Sequence, residues 1–245
     1  DTESEITGQV NGLAVLDLGE YRFGRPARIT CVSSVGQAGV VNIERETEMS
    51  GNIHSKGVLI LSGYLASRFG KDKPLSLTAS LCFEQSYSEI EGDSASCAEL
   101  HALLSEMAEL PLRQDIAVTG SINQKGQVQP IGAVNEKVEG FFEVCRLKGL
   151  TGNQGVLIPS RNVQDLMLNE EVVEAVENGE FNVWAVDTVE EGIEILTGTP
   201  AGERDDEGKY PEKTVFGRVD DRLRQISDIL RQYSPAGSAS TSDEE

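Results

Sequence analysis

Short apolar runs follow one another closely from Gly8 to about Gly198, and their spacing switches between a period of two and a period of three to four. Residues 12–18, 27–35 and 39–45 are aliphatic and joined by Gly, Asn and Ser turns, which predicts three strands. Residues 75–83 place Leu75, Leu77, Ala79, Leu81 and Phe83 at every second position, a fourth strand. In 55–69 the apolar residues Val58, Leu61, Leu65 and Phe69 keep helical spacing, and Gly70 and Pro74 follow as a stop. Further helices are expected at 95–110, ended by Pro111, and at 133–148, 162–177 and 189–196. Strands are expected at 115–123, 155–158 and 181–186, with 127–131 folding back on the first through the Lys125-Gly126 turn. Strands and helices mix without strict alternation, which points to an α+β or mixed α/β fold.

The pattern divides the chain. Residues 1–7 are polar and expected to be flexible, and 8–198 form the main domain. Beyond Thr199, residues 202–213 read as a polar linker. Residues 218–233 then carry Val219, Leu223, Ile226, Ile229 and Leu230 on one helical face, which needs a docking surface. The Ser/Ala-rich acidic stretch 235–245 is expected to be disordered. A first residue of Asp rather than Met suggests a piece of a longer protein. The longest apolar stretch, 57–66, is far short of the roughly 20 residues of a spanning helix. No basic segment followed by an apolar one opens the sequence, so no secretory signal is visible in it, and none of the four cysteines forms a Cys-x-x-Cys pair. These features lead us to expect a cytoplasmic protein with reduced thiols.

Charge narrows the partners. The 245 residues hold 21 Lys+Arg against 41 Asp+Glu, a formal net charge of −20. Residues 200–245 account for −4 of this, so the acidity belongs to the main domain and not to the tail. Such a surface repels phosphate backbones and anionic headgroups, so neither nucleic acid nor a membrane is an expected partner.

Several chemistries are absent from the sequence. There is no G-x-x-x-x-G-K-[ST] phosphate loop, no G-x-G-x-x-G and no Cys/His spacing that suits zinc. His101 follows Ser94 by seven residues, about 10 Å along a helix, too far to act as its base. His54 has no visible partner, and both histidines are expected to be structural. Two segments can support chemistry. Glu91-Gly92-Asp93-Ser94-Ala95-Ser96 runs from a strand through a tight turn into a helix. A serine there sits beside unpaired helix N–H groups that can hold an oxyanion. The same stretch also reads as a simple N-cap at Asp93 or Ser94, and Ser96-Cys-Ala-Glu99 as a capping box, the commoner outcome for such a sequence. The second segment carries Lys137. At helical spacing its neighbours are Ala133, Val134, Gly140 and Phe141, all uncharged. Burial there would favour the neutral amine, a base able to take a serine proton. The plainer alternative is a lysine that lays its stem over the core and keeps its head in water.

At these segments the sequence resembles the proteolytic domain of the Lon family of ATP-dependent serine proteases. The likeness is greatest to its B subfamily, which has an acidic residue before the nucleophile where the A subfamily has Pro. This chain has Asp93. The resemblance places the nucleophile at Ser94 and the general base at Lys137, 43 residues on. It places the lysine-orienting threonine at Thr119 in Val118-Thr119-Gly120-Ser121-Ile122. Other matching stretches are Gly24-Arg-Pro-Ala-Arg-Ile-Thr30, Gly39-Val-Val-Asn-Ile-Glu-Arg45, Ile53-His-Ser-Lys-Gly-Val-Leu-Ile60 and Val156-Leu-Ile-Pro159. It implies the family's α+β fold, similar to domain 2 of ribosomal protein S5, with mixed sheets and packed helices. It also implies a ring of six copies and unfolded or damaged proteins as substrates. The ATPase module that uses ATP and magnesium would lie upstream, so no cofactor is expected in this domain. The amides of Ser94 and Ala95 would hold the oxyanion. Asp93 and Glu91 would modulate the lysine, Asp93 by pairing with it in a resting form. Two other classes fit the same fold: a ring-forming scaffold without catalysis, and a nucleic-acid-associated module.

Overall fold

The computed structural model describes residues 1–233; the tail expected at 235–245 lies outside the described residues. The elements in chain order are β1 (Glu5–Ile6), β2 (Gln9–Asp17), β3 (Arg22–Val35), β4 (Gly39–Asn42), α1 (Ile43–Glu46), α2 (Asn52–Phe69) and β5 (Leu77–Phe83). Then come α3 (Ser96–Ala108), β6 (Leu112–Arg113), β7 (Ile116–Val118), β8 (Ser121–Ile122), β9 (Val128–Gln129) and α4 (Val134–Lys148). The last are β10 (Gly155–Pro159), α5 (Glu170–Glu177), β11 (Asn182–Val186), α6 (Val189–Thr197) and α7 (Val215–Tyr233).

A mixed seven-stranded sheet in the order β11-β10-β7-β2-β3-β5-β4 forms the frame of this α+β fold. β2–β3 and β3–β5 are antiparallel, and the remaining pairs are parallel. Both faces of its centre are buried. In β7, Ile116 and Val118 join the core beneath α3, and Ala117 joins the core beneath α4. In β10, Leu157 faces the first core while Val156 and Ile158 face the second. A strand covered on both sides reads as a continuous apolar run rather than an alternating one, which is why 155–158 shows no polar positions.

The structure departs from the sequence-based expectations at several elements. The strand expected at 115–123 is two strands, β7 and β8, broken at Thr119-Gly120. There the Gly120 N–H turns to the Ser94 carbonyl (2.9 Å) and its carbonyl accepts from Cys97 (3.1 Å). The helix expected at 162–177 is a 3-10 turn at Ser160–Asp165 and then α5. The Asn162 side chain is drawn off to the backbone of Ile131, accepting at 2.9 Å and donating at 3.0 Å. Helix α3 ends at Ala108 through left-handed Glu109, ahead of Pro111. The leading residues are paired: Glu5 and Ile6 bridge to Arg113 and Leu112, and Thr2 is buried. Within 202–213, Tyr210 packs on Phe69 and Phe216. The amphipathic helix starts three residues early, at Val215, and α3 supplies its docking surface, with Val215, Phe216, Val219, Leu223 and Ile226 in the shared core. The four cysteines are unpaired thiols.

One crossing fixes where α4 lies. A Cβ on Gly24 of β3 would stand 2.0 Å from the Glu136 carbonyl oxygen, and one on Gly140 of α4 would stand 2.0 Å from the Gly24 oxygen. Both obstacles are backbone, so strand and helix touch only because neither residue has a side chain. Gly24→Ala is expected to push α4 off the sheet and to cost about 1–3 kcal/mol; a denaturant titration of the variant checks this.

Candidate active site

Ser94 lies between β5 and α3, two residues before the helix begins. Ala95 is the N-cap, with no side-chain cap hydrogen bond. Ser96 is the first helical residue, and its Oγ accepts from the Ile122 N–H (3.2 Å) instead of closing a capping box. Glu99 turns inward to His54. Neither Asp93 nor Ser94 is the cap. The Ser94 carbonyl accepts from Gly120 N–H (2.9 Å), and Ser96 N–H returns to the Asp93 carbonyl (3.0 Å), so the turn is tied on both flanks. The N–H groups of Ser94 and Ala95 donate to no acceptor among the described residues.

Lys137 sits in the first turn of α4. Its face is the uncharged one: Val134 and Phe141 are buried and Gly140 lies against β3. The side chain is 4% exposed, so the amine is taken out of water with its stem. Its Nζ donates to Ser94 Oγ at 2.8 Å and to Thr119 Oγ1 at 3.2 Å. Thr119 Oγ1 in turn donates to the Ser94 carbonyl at 3.4 Å. Burial pushes Lys137 down to about 8; Asp93 and Glu136 oppose this shift and Arg22 adds to it. Glu136 is drawn towards Arg22 (3.6 Å), and Glu139 accepts from Asn169 N–H (2.9 Å), so the helix's carboxylates are engaged elsewhere.

Asp93 is half-buried, and Lys137 makes its hydrogen bonds to Ser94 and Thr119 rather than to Asp93. The resting pairing expected of Asp93 is not the arrangement seen. Glu91 is not brought to the lysine. Its carboxylate lies over Gly51, where an added Cβ would meet Oε2 at 1.6 Å, at the positive end of α2. Among the described residues no three His, Cys, Asp or Glu side chains converge as metal ligands would.

A cleft of about 690 Å³ reaches Ser94, Ala95, Gly132, Ala133 and Lys137. Ala133 holds a left-handed conformation (φ 59°) that turns the chain into α4 at the cleft wall. Leu13 to Leu16 of β2 line the same cleft. β7 pairs with β2 only at Asn11 and Gly12, so from Leu13 onward β2 has no strand on that side among the described residues. Sequence reasoning missed Gly24, Gly140 and this open edge. An isolated Gly within a strand or helix pattern is a signal of close backbone approach, and both glycines carried it.

Residues 88–198 match the Lon protease (S16) C-terminal proteolytic domain. A Lon protease homolog of Escherichia coli (strain K12) is 46% identical over 229 residues, 93% of this chain and 38% of the relative. One from Haemophilus influenzae is 45% identical over 94% of this chain and 40% of the relative. An archaeal Lon protease of Thermococcus kodakarensis is 31% identical over 95% of this chain and 32% of the relative. The chain thus spans about two fifths or less of these curated relatives. With this fold and these matches, the chain belongs to the Lon protease family and carries its proteolytic domain.

Proposed function

We propose that this chain is a serine endopeptidase that hydrolyses peptide bonds with a Ser94–Lys137 dyad. The observation that carries the reading is the 2.8 Å contact between a buried lysine amine and the Ser94 hydroxyl. The neutral Lys137 amine takes the hydroxyl proton as Ser94 Oγ bonds to the substrate carbonyl carbon. The oxyanion so formed accepts from the Ser94 and Ala95 N–H groups, whose hydrogen bonds are unspent. Lys137, now an ammonium, gives its proton to the leaving amine as the C–N bond breaks, leaving an acyl-enzyme. Lys137 then takes a proton from water as the water oxygen attacks the acyl carbon, and returns it to Ser94 Oγ as the ester C–O bond breaks, which frees the acid product and restores the dyad. Thr119 keeps the amine on the Ser94 side through both half-reactions.

The substrate backbone lies along the open edge of β2. An extended peptide there supplies the hydrogen-bonding partners that the strand lacks beyond Gly12. Only a chain without its own secondary structure can offer that edge, which favours unfolded or damaged proteins. In this reading the domain works in a cytoplasmic ring of six copies, fed by an ATP-driven unfolding module elsewhere in the protein, and takes no cofactor itself. No helix among the described residues is long and apolar enough to cross a membrane. A scaffold without catalysis gives no reason to desolvate a lysine beside a serine.

Ser94→Ala and Lys137→Met are each expected to lower kcat for an unstructured reporter peptide by at least about 10³-fold. Peptidase activity retained in either variant of the assembled protein would rule the dyad out.

The pH dependence follows from the lysine. Below about 8 the amine is charged and cannot accept a proton. kcat/KM is therefore expected to climb with pH through about 8 and then level off; a steady-state profile checks it.

The same shift predicts a cost in stability. Between about 8 and the ordinary lysine value of 10.5 the unfolded chain holds a proton that the folded one lacks, so stability from this group rises with pH across that window. Below it the full penalty applies. Lys137→Met is expected to be more stable than the parent at pH 7, by on the order of 2–3 kcal/mol; thermal melts of both proteins compare them.

A further inference from the structure

The turn that presents Ser94 is gripped by residues 50–57, at the start of α2, from both sides. On the near side Ser50 bridges Ile90, with Gly51 N–H donating to the Ile90 carbonyl and Ile90 N–H to the Met49 carbonyl, both at 2.9 Å. Glu91 lies over Gly51, and Gly57 brings α2 against Asp93 and Ser96, with an added Cβ at 3.3 and 3.5 Å from their Cβ atoms. On the far side His54 Nε2 meets Glu99 Oε1 at 3.2 Å, one turn into α3. The Glu99 N–H caps back onto the Ala95 carbonyl at 2.9 Å. Ser50 Oγ closes the set, 2.9 Å from His54 Nδ1 and 2.9 Å from Ser55 Oγ.

The core of this grip is polar where an apolar contact would be cheaper. His54 and Glu99 are both fully buried, and Glu99 Oε2 has no hydrogen-bond partner among the described residues. The groups facing His54 from the packed elements are Glu99 of α3, Glu44 of α1, Glu91 of the turn and the Phe83 ring edge of β5. Burial opposes a charge on His54, but the three carboxylates together outweigh it and raise its pKa. A desolvated pair is a weak source of net stability, but its directional hydrogen bond ties α2 to α3 in a defined geometry. Ser94 lies between these anchors, and its Oγ makes the 2.8 Å contact with Lys137.

We infer that the Ser50–His54–Glu99 array is a positioning device for the nucleophile: it sets the angle at which the 90–96 turn delivers Ser94 Oγ to Lys137. The inference rests on the dyad reading above. Array residues are positioning residues, since none of them is seen to touch the dyad.

The test uses the assembled full-length protein. His54→Ala is expected to lower kcat at least tenfold with KM changed less than twofold, and to slow labelling of Ser94 by a neutral phosphonate probe by the same factor. His54→Gln, which keeps a donor towards Glu99, is expected to recover most of both rates. Phe216→Leu, which loosens the core between α2 and α7, serves as the control for destabilisation alone. At equal distance below each melting temperature it is expected to keep the parent kcat. A His54→Ala protein with parent kcat and labelling rate, or with losses no greater than those of Phe216→Leu, would overturn the inference. If His54→Ala does not fold, Glu99→Ala, which removes the acceptor that His54 meets, decides by the same readouts, and parent rates in it would likewise overturn the inference. Failure of the dyad reading looks different: Ser94→Ala would still cleave.

Discussion

Lys137 is 4% exposed, and an ammonium group so far from water gives up several kcal/mol of hydration. That desolvation governs the site. It lowers the amine's basicity, which is what the proposed base role needs, and it holds only while α4 is pressed against the sheet. The press depends on two absent side chains. Gly24 and Gly140 let the backbones of β3 and α4 meet, and the uncharged positions Val134 and Phe141 seal the helix face around the amine. If α4 lifted away, water would reach Nζ and restore the ordinary lysine basicity.

The second requirement is that two layers meet through one sheet. Ser94 approaches from the α3 side and Lys137 from the α4 side. They can touch because β7 stops at Val118, leaving a gap that the next residue, Thr119, borders. The same early stop leaves β2 with an open edge beside the dyad. One interruption in a strand thus yields the meeting point, the lysine's second hydrogen-bond acceptor and the open edge on which the proposed substrate strand would lie. The turn that carries Ser94 lies outside the seven-stranded sheet, and the anchors at Gly120, Gly51 and Glu99 hold it.

Much of this was legible in the sequence, for reasons that can be named. Lys137 stood out because all four of its helical neighbours were uncharged, and the structure places it in the buried face that this pattern implies. The serine turn was legible through Gly92 and the onset of a helical pattern, but its cap was misread. The Ser96 hydroxyl accepts from the Ile122 N–H, the Glu99 carboxylate meets His54, 45 residues back, and no local pattern reports either partner. Glu91 looked near enough to act on the lysine, yet the chain turns it onto Gly51. The break at Thr119 was hidden because Val118 through Ile122 keeps strand-like composition, with Gly120 the only sign. The long helix expected at 162–177 failed for a similar reason: Asn162 serves a distant backbone rather than its own helix.

The central claim is that burial lowers Lys137 from the ordinary lysine value to about 8, where the neutral amine becomes available as the proposed base. Its most direct test is a titration of the Lys137 side chain by NMR, following the ¹³Cε shift in protein labelled at lysine and assigned through Lys137→Met. The expected midpoint is about 8. A midpoint near 10.5, the value of a lysine in water, would show that the amine remains charged and would contradict the mechanism built on it.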